Sequence, residues 1–418
     1  MKKSLLVVLS LFVFAFGFFA TGCGSTDEKL KIGIILVGDE TEGYSKAHMD
    51  GISEAMSIVG LENDQVIYKK KVQEDSTCST AAEDLISAGC TLIVSNSYGH
   101  QDFIYSVAKK YPNVTFVAAT GDYAALTDLS NFKNAFTNVY ESRYVSGVVA
   151  GMKLAELDAA GKITAANKDE NGKVKIGYVG AFTYAEVISG YTAFFLGIKS
   201  VYPNVVMEVQ FTDSWFDIDK EAAAAEVLIN DGCVIIGQHA DSTGAPSKTQ
   251  ALLTAGKVCY SVGYNVDMLS VAKEAALTSA TNVWSKFYAY AFQQAKDGKA
   301  IVTDWSKGYV DGAVAITTLG SSCAEGTAAK VAEVETALKN GTLHVFDVSK
   351  FTVGGKTISS HDFDFSYRDW SQGGKVVFQG ETKNVIKTSA STSYFEESVE
   401  RSAPYFDIKI DDIKWLNK

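Results

Sequence analysis

The chain has 418 residues, 47% of them hydrophobic and 21% charged, with a formal net charge of −11 at pH 7. That length and apolar content suffice for two cores of ordinary domain size. The acidic balance argues against nucleic acid or an anionic membrane face as a partner.

The first element is a secretion signal. Lys2 and Lys3 precede an almost unbroken apolar run from Leu5 to Ala20, which ends in Thr21-Gly22-Cys23. The run is too short to span a bilayer comfortably and stops at small residues, the pattern of a signal removed on export. It resembles a bacterial lipoprotein signal: residues 1–22 read as signal peptide, Cys23 as the lipidation site and 23–28 as a linker. The rest is then expected to work outside the cytoplasm, held at the cell membrane by acyl chains that contribute about 0.8 kcal/mol per buried methylene. That location disfavours nucleotide-driven chemistry.

Two stretches of the remaining chain repeat. Ala81 to Ile93 reappears as Ala224 to Ile236, and Lys31-Ile32-Gly33 reappears as Lys175-Ile176-Gly177. Two copies of one α/β unit are the economical explanation. In the first copy the order is strand Ile32 to Val37, helix Ser45 to Val59, strand Val66 to Lys71, helix Thr80 to Ser87 and strand Thr91 to Ser95. The second runs through Val174 to Gly180, Tyr184 to Ile198, Val205 to Phe211, Lys220 to Asn230 and Cys233 to Gly237. Tyr111-Pro112-Asn113-Val114 and Tyr202-Pro203-Asn204-Val205 each end a helix and launch a strand, because Pro cannot continue the helix. Parallel strands joined by right-handed crossovers predict an α/β fold of two doubly wound Rossmann-like lobes, with ligands at the carboxyl ends of the strands. Asp158 to Gly172 reads as a surface loop between them, and the chain from about Asn340 as a β-rich, peripheral tail with turns at Gly354-Gly355 and Gly373-Gly374.

After Cys23, five cysteines remain without metal-type spacing, and Cys90 and Cys233 read as buried free thiols. The five histidines are scattered, so neither a metal nor a cofactor is expected. The residues just after the strands should face the cleft. Those segments carry Tyr44, Ser45, Ser97, Tyr98, Thr120, Asp122, Trp215, Asp217, His239, Asp241, Asn265 and Asp267. Aromatic plates with convergent polar groups suit a flat heteroaromatic ligand, since stacking contributes roughly 1–3 kcal/mol per base. Asp217 reads equally well as a helix cap.

Several of these segments resemble one known family. Ser97-Tyr98-Gly99-His100-Gln101-Asp102, Ala119-Thr120-Gly121, Arg143 to Gly151, Gln238-His239-Ala240-Asp241-Ser242 and Val262-Gly263-Tyr264-Asn265-Val266-Asp267 look like the basic membrane protein (PnrA-like) lipoproteins. These are substrate-binding components of ABC importers for purines or purine nucleosides. The resemblance spans about Lys29 to Thr318 and implies a type I periplasmic-binding-protein-like pair of lobes joined by a hinge. The expected division is 29–150 with 260–290 as one lobe, 151–259 with 291–339 as the other, and 340–418 as the extension. By resemblance, Tyr44 and Trp215 fall where the family sandwiches the base. Thr120, Asn265 and Asn282 stand where the nucleoside binders carry two Asp and a Lys that hold the ribose. Their replacement tilts the expectation toward a free base, with Asp241, Asn265 and Trp284 as further contacts.

The expected function is therefore capture of a purine base or nucleoside by a monomeric, lipid-anchored binding protein that delivers it to an ABC permease in the membrane. The chain is not expected to be an enzyme. A ligand sensor is one alternative. A nucleoside hydrolase is another, and would need His100, His239 and Asp241 to converge as acid and base; the chain has no nucleophile elbow, Walker loop or HExxH to favour it.

Overall fold

The computed structural model describes residues 29–369 and 374–418; the signal, Cys23 and the linker lie outside them. In the first lobe the chain runs β1 (Ile32–Ile35), α1 (Gly43–Val59), β2 (Val66–Lys69), α2 (Ser76–Ser87), β3 (Leu92–Ser95), α3 (Gln101–Ala108), β4 (Thr115–Ala119) and β5 (Phe132–Thr137). The second lobe follows as α4 (Val139–Ala159), β6 (Val174–Gly180), α5 (Ala185–Val201), β7 (Val205–Phe211), α6 (Ile218–Asn230), β8 (Ile235–Gln238), α7 (Gly244–Thr254), β9 (Tyr260–Tyr264) and β10 (Ala276–Asn282). The chain returns to the first lobe for α8 (Ser285–Lys296) and β11 (Asp304–Lys307), then goes back for β12 (Val314–Ile316) and α9 (Thr327–Lys339).

Two sheets result. The first has strand order β11-β5-β4-β3-β1-β2 and is parallel throughout. The order in the second is β12-β10-β9-β8-β6-β7-β19, where β19 (Ile413–Trp415) comes from the end of the chain and only β12 is antiparallel to its neighbour. The repeated sequence has a packing cause. Gly33 on β1 and Gly177 on β6 leave room for Leu85 of α2 and Leu228 of α6: a Cβ would lie 2.8 Å from Leu85 Cδ1 and 2.9 Å from Leu228 Cβ. Each Leu is fully buried, a burial that contributes roughly 1.5–3 kcal/mol. Cys90 and Cys233, one in each copy, are buried free thiols. Asp217 does cap α6, accepting from Lys220 N at 3.0 Å.

The lobe boundaries differ from the sequence reading. Residues 260–282 pair in the second sheet and α4 packs on α5, so 139–150 and 260–282 belong to the second lobe. Conversely α8 packs on α1 and β11 pairs with β5, which places 291–307 in the first lobe. The chain crosses between lobes three times, after Thr137, after Asn282 and after Lys307. Such returns are not signalled by local periodicity, because a strand reads alike in either sheet.

The C-terminal extension is β-rich, with β13 (Asp362–Asp364), β14 (Tyr367–Asp369), β15 (Lys375–Phe378), β16 (Thr382–Asn384), β17 (Ile386–Ser389) and β18 (Thr392–Phe395) in three two-stranded ribbons. It is not peripheral. Phe346, Phe351, Phe395, Tyr405 and Phe406 are buried in the second lobe's core, and β19 completes its sheet. The extension also reaches the first lobe: Arg401 pairs with Asp122 at 3.1 Å, Ser402 N donates to Asp304 at 3.0 Å, and Phe378 packs edge-on against Tyr105 and Tyr123. The sequence of this segment shows its strands but not what they cover.

Candidate functional site

A cavity of about 540 Å³ lies between the lobes at the carboxyl ends of β1, β2, β3, β4, β6, β7, β8 and β9. The first lobe contributes Tyr44, Ser97, Tyr98 and Thr120, and the second contributes Trp215 and Asp241. Six of the ten expected ligand residues therefore line one cavity. Of the other four, Ser45, Asn265 and Trp284 stand behind it and Asp267 is exposed beyond it. Ser45 Oγ accepts from Gly38 N and from Asn96 Nδ2, both at 3.1 Å, which fixes the loop after β1. Asn265 Nδ2 donates to Asp241 Oδ1 at 2.8 Å, while its own Oδ1 accepts from Asn282 Nδ2 at 3.1 Å. Asp267 caps the following turn by accepting from Leu269 N at 2.7 Å. Trp284 is 1% exposed and stacks on His48 at 3.9 Å, so it backs Tyr44 from the core instead of facing a ligand.

Tyr44 sits in the first turn of α1, where Glu42 caps the helix by accepting from Tyr44 N and Ser45 N at 2.7 Å each. Its hydroxyl is buried without a partner. Trp215 projects from the loop after β7 and packs edge-on against Phe182, with Tyr184 beside it. Opposite, Tyr98 donates its hydroxyl to Asp122 at 3.3 Å, and its ring meets that of Tyr184 at 6.2 Å across the cleft. Gly43 N also donates to the Asp241 carbonyl at 3.3 Å, so the lobes touch at the cavity's edge.

The site is acidic. Glu42, Glu74, Glu186 and Asp241 line it, with Lys71 beside Asp39 as the cation. Burial, and then the nearby Glu42, Glu221 and Glu186, push the Asp241 carboxyl well above the ordinary range. His239 Nε2 donates to Glu186 Oε1 at 3.2 Å, and burial lowers the histidine's pKa to about 4. Such a lining accepts hydrogen bonds from ring N–H and exocyclic amino groups. His100 is elsewhere: it is fully buried, with Nε2 at 2.9 Å from the Val72 carbonyl, so His100, His239 and Asp241 do not converge.

Backbone strain marks the same places in both copies. Lys71 after β2 and Asp213 after β7 have φ of 56° and 54°, and Thr120 after β4 and Asn265 after β9 have φ of 65° and 62°. For a β-branched Thr this left-handed conformation is a genuine outlier, of the kind that clusters at ligand sites. Lys71, Asp213 and Thr120 line the cavity, and Asn265 holds Asp241, which does.

Sequence reasoning missed Lys71, Glu74, Phe182, Glu186 and Tyr264, all of which line the cavity. The signal was available for most of them. Carrying the strand-end rule to the segments after β2 and β6 reaches Glu74, Phe182 and Glu186.

Two α/β lobes with three crossovers and a walled cavity at the strand ends define a two-lobed solute-binding protein. The chain belongs to the family of ABC transporter substrate-binding proteins described as PnrA-like, which matches residues 29–346. It is 32% identical to a purine-binding protein of Brucella abortus (strain 2308) over 283 residues, covering 68% of this chain and 73% of that one. A putative ABC transporter glucose-binding protein of Haloferax volcanii is 30% identical over 260 residues, 62% of this chain and 60% of that one. Among solved structures, an ABC transporter solute-binding protein from Aeropyrum pernix K1 superposes with a TM-score of 0.63 over 76% of this chain and 93% of its own, at 13% identity. Among the described residues no helix is long and apolar enough to cross a membrane.

Proposed function

We propose that this protein captures a purine-type base between its lobes and, tethered to the membrane through Cys23, delivers it to an ABC permease. Its work is binding and lobe closure, with no bond made or broken. The observation that carries the reading is the pairing of Tyr44 and Trp215, one from each lobe, on a cavity edged by the carboxyl groups of Asp241 and Glu186. Aromatic faces bind the flat ring, and carboxyl groups hydrogen-bond its polar edge. The Brucella relative's ligand class supports the same assignment. Asn265 is held behind the cavity wall by Asp241 and Asn282 and does not line the space that a ribose would fill, which favours the free base.

The test is direct: denature protein purified from its own cytoplasm-free fraction and identify the released small molecule by mass spectrometry. A purine is the expected result, and a released sugar in its place would overturn the assignment. Mass of the amino-terminal peptide tests the anchor, which requires a diacylglyceryl group on Cys23.

A further inference from the structure

The C-terminal extension encloses a second cavity of about 700 Å³ against both lobes, and it shares Tyr98, Thr120, Glu186 and Trp215 with the first. The family match stops at residue 346, so this wall lies beyond the part of the chain that the family describes. Its charge is one-sided. Asp122, Glu186, Asp362, Asp364 and Asp407 line it against two cations, Arg368 and Arg401. Both cations are already held, Arg368 by Asp364 at 2.7 Å and Arg401 by Asp122 at 3.1 Å. Each is offset by its own carboxylate, and Asp407 Oδ1 lies 2.7 Å from His361 Nε2, which leaves Glu186 and Asp362 as the carboxylates in excess. Asp122 is 4% exposed, and its Oδ1 has no partner. The rings of Tyr98, Tyr184 and Trp215 supply aromatic surface around these carboxylates. Carboxylates that outnumber guanidinium groups, combined with aromatic faces, are the surroundings that attract an ammonium group.

Building on the purine reading of the first cavity, we propose that the extension makes a second subsite for a positively charged, amine-bearing part of the captured solute. The ring lies between Tyr44 and Trp215, and the amine passes Tyr98 and Tyr184 toward Asp122 and Asp362. A negatively charged substituent is repelled from the same space. The extension thus acts as a third wall that selects the charge of what the ring carries.

Calorimetry with three probes tests this: adenine, adenine bearing an aminobutyl chain on its exocyclic nitrogen, and adenine bearing a carboxyalkyl chain of equal length. The aminobutyl form should bind at least about tenfold more tightly than the carboxyalkyl form, the scale of one or two charge contacts near a protein surface. Asp362 is exposed on β13, so Asp362→Lys is expected to fold. It should narrow that ratio to within about threefold while leaving adenine itself within about twofold of the parent. Equal binding of the two chains by the parent, or an unchanged ratio in Asp362→Lys, overturns the subsite and leaves the purine reading standing. Failure of plain adenine and both derivatives to bind overturns both.

Discussion

At the scale of single residues, two side chains of the cavity act through different physics. Trp215 is half-buried on a loop and packs against Phe182 and the second lobe's core, so its removal costs some packing as well as cavity surface. Trp215→Ala should weaken purine binding by roughly 1–3 kcal/mol with a modest fall in the thermal midpoint, as read by calorimetry and melting. Tyr44 is 9% exposed and packs edge-on to His48 at 4.5 Å, so Ala there would open the core as well. Tyr44→Phe separates the two roles. The hydroxyl is buried and unpartnered in the free protein, so deleting it should leave stability level or raised while weakening purine binding by about 0.5–1.5 kcal/mol if the ligand is its missing partner. Titration of the free base against its nucleoside checks the role of Asn265: the base is expected to bind at least as tightly, because Asn265 is already committed to Asp241 and Asn282.

At the scale of elements, α4 and α5 approach closely enough that Gly147 and Gly197 face each other. A Cβ on Gly147 would run into the Phe194 carbonyl, and one on Gly197 into the Tyr144 carbonyl. Backbone cannot give way as a side chain can. Gly147→Ala is therefore expected to destabilise by at least about 1–3 kcal/mol in denaturant unfolding, whereas Ala at exposed Gly161 should cost only the strain of its left-handed φ of 66°. The extension is a second element with a measurable role. Its salt bridge joins Arg401 to Asp122 with both side chains nearly buried, at 11% and 6% exposure. Removing one partner strands a charge, so Arg401→Ala should cost about 3–5 kcal/mol, and Arg401→Met combined with Asp122→Asn should recover much of it.

At the scale of the whole molecule, buried carboxyls set the pH dependence. Burial pushes Glu141, Glu221 and Glu397 up to about 7 and Asp304 up to about 6. These groups hold their protons more tightly folded than unfolded, so stability falls as pH rises from their unfolded values, 4.5 for the three Glu and 3.8 for Asp304, through their folded ones. Burial lowers His48, His100 and His239, which acts in the opposite sense below pH 6.5. The carboxyls act over the whole interval and are alone between 6.5 and 7. Thermal midpoints should therefore decline from about pH 5 to about pH 7.5, and Glu221→Gln should flatten part of that decline. The proposed lobe closure also belongs to this scale. Asp241, Asn265, Asn282 and Thr137 form one hydrogen-bonded chain from the cavity to two of the crossovers, so a ligand on Asp241 bears on the hinge. Saturating purine should reduce the radius of gyration in small-angle scattering and slow amide exchange at residues 137–139 and 282–285. The extension already grips both lobes, and an unchanged radius with unchanged exchange would mean that it holds the cleft rigid.

The sequence by itself determined the repeating unit, because a buried parallel strand and an amphipathic helix are local patterns and each copy carries its own Gly and Leu at matching positions. It also placed Tyr44, Tyr98, Thr120, Trp215 and Asp241 on one cavity, since the strand-end rule needs only strand direction. Tertiary structure alone decided which sheet receives β9, β10 and β11, because pairing partners are chosen by long-range packing and not by the strand's own period. It alone moved Asn265 and Trp284 behind the wall, where one holds Asp241 and the other stacks on His48 instead of meeting a ligand. The tail shows why composition misleads: its short strands read as surface ribbon, yet Phe346, Phe395 and Phe406 pack against one another in a core that only the folded second lobe provides.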